Sequence, residues 1–228
     1  MKVIQDWIDF FRFLKVPDFR NGEQSVMRRL FLTFNSFVLL VLLLIPIVIL
    51  YTIYKALLGY TPKTLHESIL HVYHPFLLYS IVAVFEEFSF RGFLTRFNPL
   101  LCAFSVSAIL ATYFKKVVYR NMTFLPEGLA EAGILLALLL PIVYLLLKFN
   151  DQRLSLLWEK HSRTLVYASA FLFAFLHFFN SADLSISYLP STVFQLIMAF
   201  VFSFVRIRAG LIYAIIIHFT WNWLIYGV

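Results

Sequence analysis

Two glutamates, an arginine, two histidines and an asparagine stand inside the most apolar parts of this sequence. Glu86 and Glu87 lie in the run Ser80-Ile81-Val82-Ala83-Val84-Phe85-Glu86-Glu87-Phe88-Ser89-Phe90-Arg91-Gly92. His177 ends Phe173-Ala174-Phe175-Leu176-His177, and His218 opens His218-Phe219-Thr220-Trp221-Asn222. A charge at the centre of a bilayer costs about 2.5–3.5 kcal/mol on insertion scales. Residues four apart on a helix share a face. Glu87 can therefore pair with Arg91, and His218 and Asn222 project together. Glu86 points about 100° away from Glu87, and one guanidinium cannot neutralise two carboxylates. The leftover acid needs a proton, a metal or another basic partner. Taken singly, an ion pair near a helix end or a histidine on an apolar helix is ordinary structure. Complementary charges on three separate apolar runs point to one polar cluster facing inward.

Such a cluster suits peptide-bond hydrolysis, which needs an activated nucleophile, a proton donor and a stabilised oxyanion. No serine or cysteine pairs with the two histidines. Cys102 is the single cysteine and reads as a small buried hydrophobe. Covalent catalysis is therefore the poorer reading, and a Glu–His pair acting on water the simpler one. A metal version stays open, because Glu86, His177 and His218 form a recognised zinc ligand set. The His-Glu-x-x-His signature of soluble zinc peptidases is missing. A lone cysteine also excludes an intramolecular disulfide and a cysteine-based zinc site.

The elements that must position these residues are membrane helices. Of 228 residues 61% are apolar and 14% charged, and mean hydropathy is +0.84. Soluble domains average about 45–50% and about 25%. One core of this size cannot hide so much apolar surface, so the remainder faces lipid. A soluble enzyme, a disordered chain and a collagen-like fibre are excluded. The net charge of +7 does not imply nucleic acid as a partner, because the basic residues sit between apolar runs as in cytoplasmic membrane loops.

Seven apolar stretches, approximately 29–54, 70–97, 99–114, 129–148, 164–180, 190–206 and 210–227, approach the roughly 20 residues of a spanning helix. The second could continue into the third through Asn98-Pro99. Continuous rather than alternating runs exclude a membrane barrel. The fold expected is an all-α polytopic transmembrane bundle of about seven to eight helices. Residues 1–30 carry no apolar signal-peptide core. Ile4, Trp7, Ile8, Phe11 and Leu14 recur at helical spacing there, as in an amphipathic interfacial helix. The chain thus divides into residues 1–30 and a membrane-embedded domain, 31–228. With the N-terminus in the cytoplasm, Lys55, Lys63, Lys115, Lys116 and Arg120 fall outside, and all other Lys and Arg except intramembrane Arg91 fall inside. That bias favours this orientation. His66, His71, His74, His161, Glu131 and Asp183 lie at boundaries and receive no catalytic role. Tyr113, Tyr119, Trp158, Trp223 and Tyr226 read as interfacial anchors.

Glu-Glu-x-x-x-Arg at 86–91, Phe-x-x-x-His at 173–177 and His-x-x-x-Asn at 218–222 occur in this order. They resemble the three motifs of the CAAX-protease and bacteriocin-processing family of intramembrane proteases, whose eukaryotic representative is the type II CAAX prenyl endopeptidase. Phe90-Arg91-Gly92-Phe93-Leu94 and Arg206-Ile207-Arg208-Ala209-Gly210-Leu211 add to the likeness, which covers roughly residues 70–227. The resemblance implies an intramembrane endopeptidase. Glu86 would activate water, and His177 would assist or share a ligand role. His218 and Asn222 would hold the scissile carbonyl and form the oxyanion site. Glu87 and Arg91 would set the charge balance. The metal-free mechanism is preferred to one divalent zinc ion. The expected partners are membrane lipid and a peptide or protein substrate, prenylated or a bacteriocin precursor. The competing reading is a non-proteolytic protein of the same fold, such as an immunity factor or scaffold, or a transporter. A transporter needs no His-x-x-x-Asn pair and usually shows internal repeats, which are missing here.

Overall fold

The computed structural model describes residues 2–19, 24–58, 75–118, 126–179 and 189–226. Among them are nine α-helices and no strand. In chain order these are α1 (Lys2–Lys15), α2 (Val26–Leu58), α3 (Pro75–Arg91), α4 (Pro99–Tyr113), α5 (Pro126–Phe149), α6 (Asp151–Lys160), α7 (Ser162–Phe178), α8 (Leu189–Arg208) and α9 (Leu211–Tyr226). A π-turn, Phe114–Val118, closes α4. His66, His71, His74, Tyr119 and Asp183 lie outside the described residues, as does the side chain of Tyr226.

Each apolar stretch has become a helix. Val26–Tyr54, Pro99–Val117, Ala130–Phe149 and Leu189–Arg208 are long and apolar enough to cross a membrane, with Ser162–Phe178 and Leu211–Ile225 as shorter apolar helices. The second and third stretches do not merge. Asn98 Oδ1 accepts from the Leu100 and Leu101 amides at 3.0 and 3.1 Å, and Pro99 follows at the first helical position. That is an N-cap followed by a residue with no amide to lose, so a new helix must start there. Between α8 and α9 the chain turns through Gly210 at φ +118°. Its amide bonds back to the Val205 carbonyl at 3.2 Å, a left-handed helix stop that favours glycine.

The amphipathic expectation for residues 1–30 holds for α1, but part of its apolar face is docked on the bundle. Phe10 and Phe13 are buried, with rings 5.5 Å from that of Phe204 on α8. Asp6 is 2% exposed and takes a bidentate contact from Arg28, while Asn35 Nδ2 donates to it at 2.8 Å. Tyr167 donates its hydroxyl to the Leu14 carbonyl, and Arg208 pairs with Asp18 at 2.8 Å. Ile4, Ile8 and Phe11 remain exposed. Trp158, expected to anchor in the interface, instead donates to the Phe93 carbonyl and lies edge-on to Phe93 and Phe97. Glu131 pairs with Lys115.

The C-terminal end of α3 is fixed by three other helices. Arg206 of α8 donates to the carbonyls of Arg91 and Gly92 at 2.9 and 3.0 Å. Ser169 of α7 donates to Phe90 O, and Ser105 of α4 to Phe88 O at 2.8 Å. Carbonyls at a helix end lack intrahelical partners, and a guanidinium there also opposes the helix dipole. Gly92 makes this packing fit, since a Cβ would stand 2.4 Å from Phe88 O and 3.2 Å from Ser105 Oγ. Gly92→Ala should therefore force the chain leaving α3 away from the Phe88 carbonyl and lower stability by about 1–3 kcal/mol. Thermal unfolding in detergent measures this, and an unchanged midpoint would contradict the packing.

Candidate active site

The last two turns of α3 carry Glu86, Glu87 and Arg91. Glu87 and Arg91 are fully buried. Arg91 Nη1 donates to Glu87 Oε1 at 2.7 Å, the i,i+4 pairing expected from the sequence. The guanidinium carbon lies 4.2 Å from the centre of the Phe173 ring and 5.4 Å from that of Phe202. Two aromatic faces thus cover a cation whose ion-pair partner among the described residues is Glu87.

Both histidines turn toward Glu86. His177 Nε2 lies 3.6 Å from Glu86 Oε1, and His218 Nε2 lies 3.5 Å from Glu86 Oε2. The other ring nitrogens are engaged. His177 Nδ1 donates to the Phe173 carbonyl at 2.8 Å, and a carbonyl only accepts. His218 Nδ1 donates to Glu87 Oε1 at 2.8 Å. In the neutral rings, Nε2 then carries the lone pair. Two lone-pair nitrogens and a carboxylate face each other across gaps longer than a hydrogen bond. Such acceptors need a donor among them, and a water about 2.8 Å from each can give one proton to the carboxylate and one to a ring.

The same phenylalanines hold the rings. The Phe173 ring centre is 4.2 Å from that of His177 and 6.2 Å from that of His218, and Phe202 stacks on His218 at 4.8 Å. Glu86 and His177 are 14% and 13% exposed, against 2% for His218, so the cluster opens on the side of Glu86 and His177. Asn222 is buried one turn beyond His218 on α9. Among the described residues it hydrogen-bonds to none of the other five.

The structure therefore brings Glu86, Glu87, Arg91, His177 and His218 together and leaves Asn222 adjacent. Glu87 bonds His218 as well as Arg91, so its contacts go beyond the charge balance expected of it. Three participants had no sequence signal of their own. Phe202, Ser169 and Ser105 read as ordinary apolar or small residues until the helices are packed, and Arg206 stood out only as part of the stretch before the last motif. Lys116, expected on an outside segment, lies within electrostatic reach of Glu86 and His177.

A metal would ask for three converging ligands. Glu86, His177 and His218 have the donor chemistry, and each histidine has a partner on its second nitrogen, as metal-bound histidines do. Yet no group of three His, Cys, Asp or Glu side chains among the described residues is arranged to hold a metal ion. The set fits zinc in its chemistry and not in its placement.

Comparison with known families adds one match. The family model described as type II CAAX prenyl endopeptidase Rce1-like matches residues 68–224, well over half of the chain and containing all six site residues. No curated protein and no solved structure was found to match the chain.

Removing Arg91 should expose how far Glu87 depends on it. Breaking a buried pair from one side leaves an uncompensated charge and costs about 3–5 kcal/mol. Arg91→Met should lose that much, and the Glu87→Gln/Arg91→Met double variant should recover a substantial part of it. Unfolding midpoints of the three variants complete the cycle, and strictly additive losses would refute the coupling.

Proposed function

This chain belongs to the Rce1-like family of type II CAAX prenyl endopeptidases, and from that premise we propose that it hydrolyses a peptide bond with water activated by Glu86. Membership supports an intramembrane peptidase acting on a peptide or protein. The observation that carries the finer reading is the Glu86 carboxylate set between two imidazole Nε2 atoms at 3.5 and 3.6 Å. Both rings are held by their Nδ1 atoms.

A water held by Glu86 and His177 gives its proton to the carboxylate as its oxygen adds to the scissile carbonyl. The oxyanion that forms needs donors. Asn222 Nδ2 is one. His218 Nε2 donates only as imidazolium, and Glu87 is the counter-ion against Nδ1, as the aspartate is in a serine-protease triad. The proton on Glu86 then passes to the departing amine. Glu87 holds His218 in place and Arg91 holds Glu87. No step is derived through a metal, because the ligands as placed do not fit one.

We further assign the substrate to a membrane-anchored peptide, prenylated or a bacteriocin-like precursor. The outward residues of α3 (Phe76, Leu77, Ile81 and Val84) are exposed and apolar, which suits lateral approach of a lipid-bearing chain. The N-terminus is placed in the cytoplasm. The end of α8 meets α1 through Phe204 and Phe10, pairs Arg208 with Asp18 and caps the end of α3 with Arg206, whereas Lys115 and Lys116 stand at the far end of α4. The two basic sets of the positive-inside count are thus held at different ends of the bundle.

Glu86→Gln keeps the shape and loses the base. It should reduce release of a labelled peptide by at least about 10²–10⁴-fold with an unchanged unfolding midpoint, and wild-type turnover should persist after prolonged treatment with a strong chelator. Full turnover by the variant would sink the water-activation role, and chelator-sensitive loss restored by zinc would move the reading to a metallopeptidase. For the orientation, Arg96→Cys in a Cys102→Ala background should react with an impermeant thiol reagent from the cytoplasmic face. Labelling only from the opposite face reverses the topology.

A further inference from the structure

Asp9, Arg12, Phe13 and Val16 recur at spacings of three and four, so they share one side of α1 and of the residue that follows it. With the start of α2 and the end of α8 they border a cavity of about 570 Å³, within the roughly 300–1,000 Å³ of small-molecule sites. Phe13, Leu32 and Phe204 give it apolar walls, and it shares no lining residue with the Glu86 cluster. Its depth follows from the helices around it. Arg28 lies in the first turn of α2 and Arg208 ends α8, and both helices are long and apolar enough to span. The charged lining therefore stands where spanning segments meet the headgroup layer. Val16 of the lining is an exposed apolar residue, as are Phe11 and Met27, each next in sequence to a lining arginine. They offer a surface along which acyl chains can lie.

Four basic and two acidic side chains line this cavity, and they differ in how far they are paired. Arg28 is committed to Asp6, and Arg208 to Asp18 at 2.8 Å. Arg12 stands 3.7 Å from Asp9, beyond hydrogen-bond reach, while Asp9 accepts from Gln5 at 2.9 Å. Lys15 is exposed and enters no ion pair or hydrogen bond among the described residues. Gln24 Oε1 is buried with no hydrogen-bond partner among the described residues. Buried acceptors are seldom left without a donor. Two unmatched cations and one unmatched acceptor thus line the same space, which asks for an anion that also carries a donor.

We propose that this cavity binds the headgroup of an anionic glycerophospholipid, with its phosphate at Arg12 and Lys15 and a headgroup hydroxyl donating to Gln24 Oε1. Guanidinium and ammonium groups are the usual partners of a phosphate, and basic pockets at a membrane surface hold anionic headgroups. Arg28 and Arg208, engaged with their own carboxylates, build the walls and leave the uncompensated charge to α1. A phosphate ester bearing hydroxyls could also come from solution. Headgroup depth and the neighbouring exposed apolar residues favour the lipid. Phosphocholine is the wrong head, because its trimethylammonium cancels the phosphate charge and has no hydrogen-bond donor for Gln24. A lipid seated here touches α1, α2 and α8 together.

The test is native mass spectrometry of the full chain in a non-ionic detergent, titrated with dioleoyl phosphatidylglycerol, dioleoyl phosphatidylcholine or soluble glycerol 3-phosphate. Wild type should bind phosphatidylglycerol with a Kd about ten-fold or more below that for phosphatidylcholine, the worth of one hydrogen bond to a charged group. An Arg12→Gln/Lys15→Gln double variant should bring the two lipids to the same Kd. Gln24→Leu should weaken phosphatidylglycerol by about five-fold, as the loss of a neutral hydrogen bond does. Lys160→Gln removes an exposed charge from α6, away from the cavity, and should leave the preference intact. The ratio of the two lipids is internal to each variant, so partial loss of folded protein cancels. Equal affinity of wild type for both lipids overturns the proposal. So does a preference that survives in the double variant, or one lost as fully in Lys160→Gln. Binding of glycerol 3-phosphate as tight as that of phosphatidylglycerol overturns the assignment to a lipid.

Discussion

A carboxylate with no access to water, Glu87, accepts at one oxygen from Arg91 on its own helix and from His218 on α9. An ion in that position is stable only while its partners stay in place, so the distance between α3 and α9 is set by the reach of two hydrogen bonds. Each partner is fixed in turn. Phe173 and Phe202 close over Arg91, and Phe202 also lies flat on His218. α7 and α8 are thereby held by the same charge. Arg206 and Ser169, which cap the end of α3 from those helices, keep Glu87 at its depth. Four helices are registered on one buried ion.

That arrangement separates two carboxylates adjacent in sequence. Glu87 is enclosed, while Glu86, rotated by about 100° on the same helix, meets two imidazole nitrogens at the open edge. The pair therefore differs in surroundings and not in chemistry. Dissimilar environments are how proteins give equal acids unequal work.

Much of this was legible in the sequence. Glu86, Glu87, Arg91, His177, His218 and Asn222 announce themselves because polar groups in apolar runs are expensive, and spacing on a helix tells which of them share a face. The Asn98-Pro99 break was visible as a pair of residues but not as an outcome, since a proline can also lie inside a helix. What remained hidden depends on packing between distant segments. Phe202 is one phenylalanine among 27, and only its stacking on His218 sets it apart. Lys116 was counted as a loop charge because π-turns leave no pattern in sequence. Trp158 looked like an interfacial anchor because its type is common there, whereas its indole is spent on the Phe93 carbonyl.

The docking of α1 bears on how the protein is made. Its seat is built from Asn35 on α2, Tyr167 on α7 and Phe204 on α8, and the Tyr167 hydroxyl reaches Leu14 across 153 positions of chain. Synthesis delivers α1 before α2, α7 and α8. Throughout that interval Phe10 and Phe13 have no final site, and closing so long a loop carries an entropic penalty that local contacts do not. A helix made before its seat is therefore among the last to be docked, and its exposed apolar side, with Ile4, Ile8 and Phe11, gives it a lipid surface on which to wait.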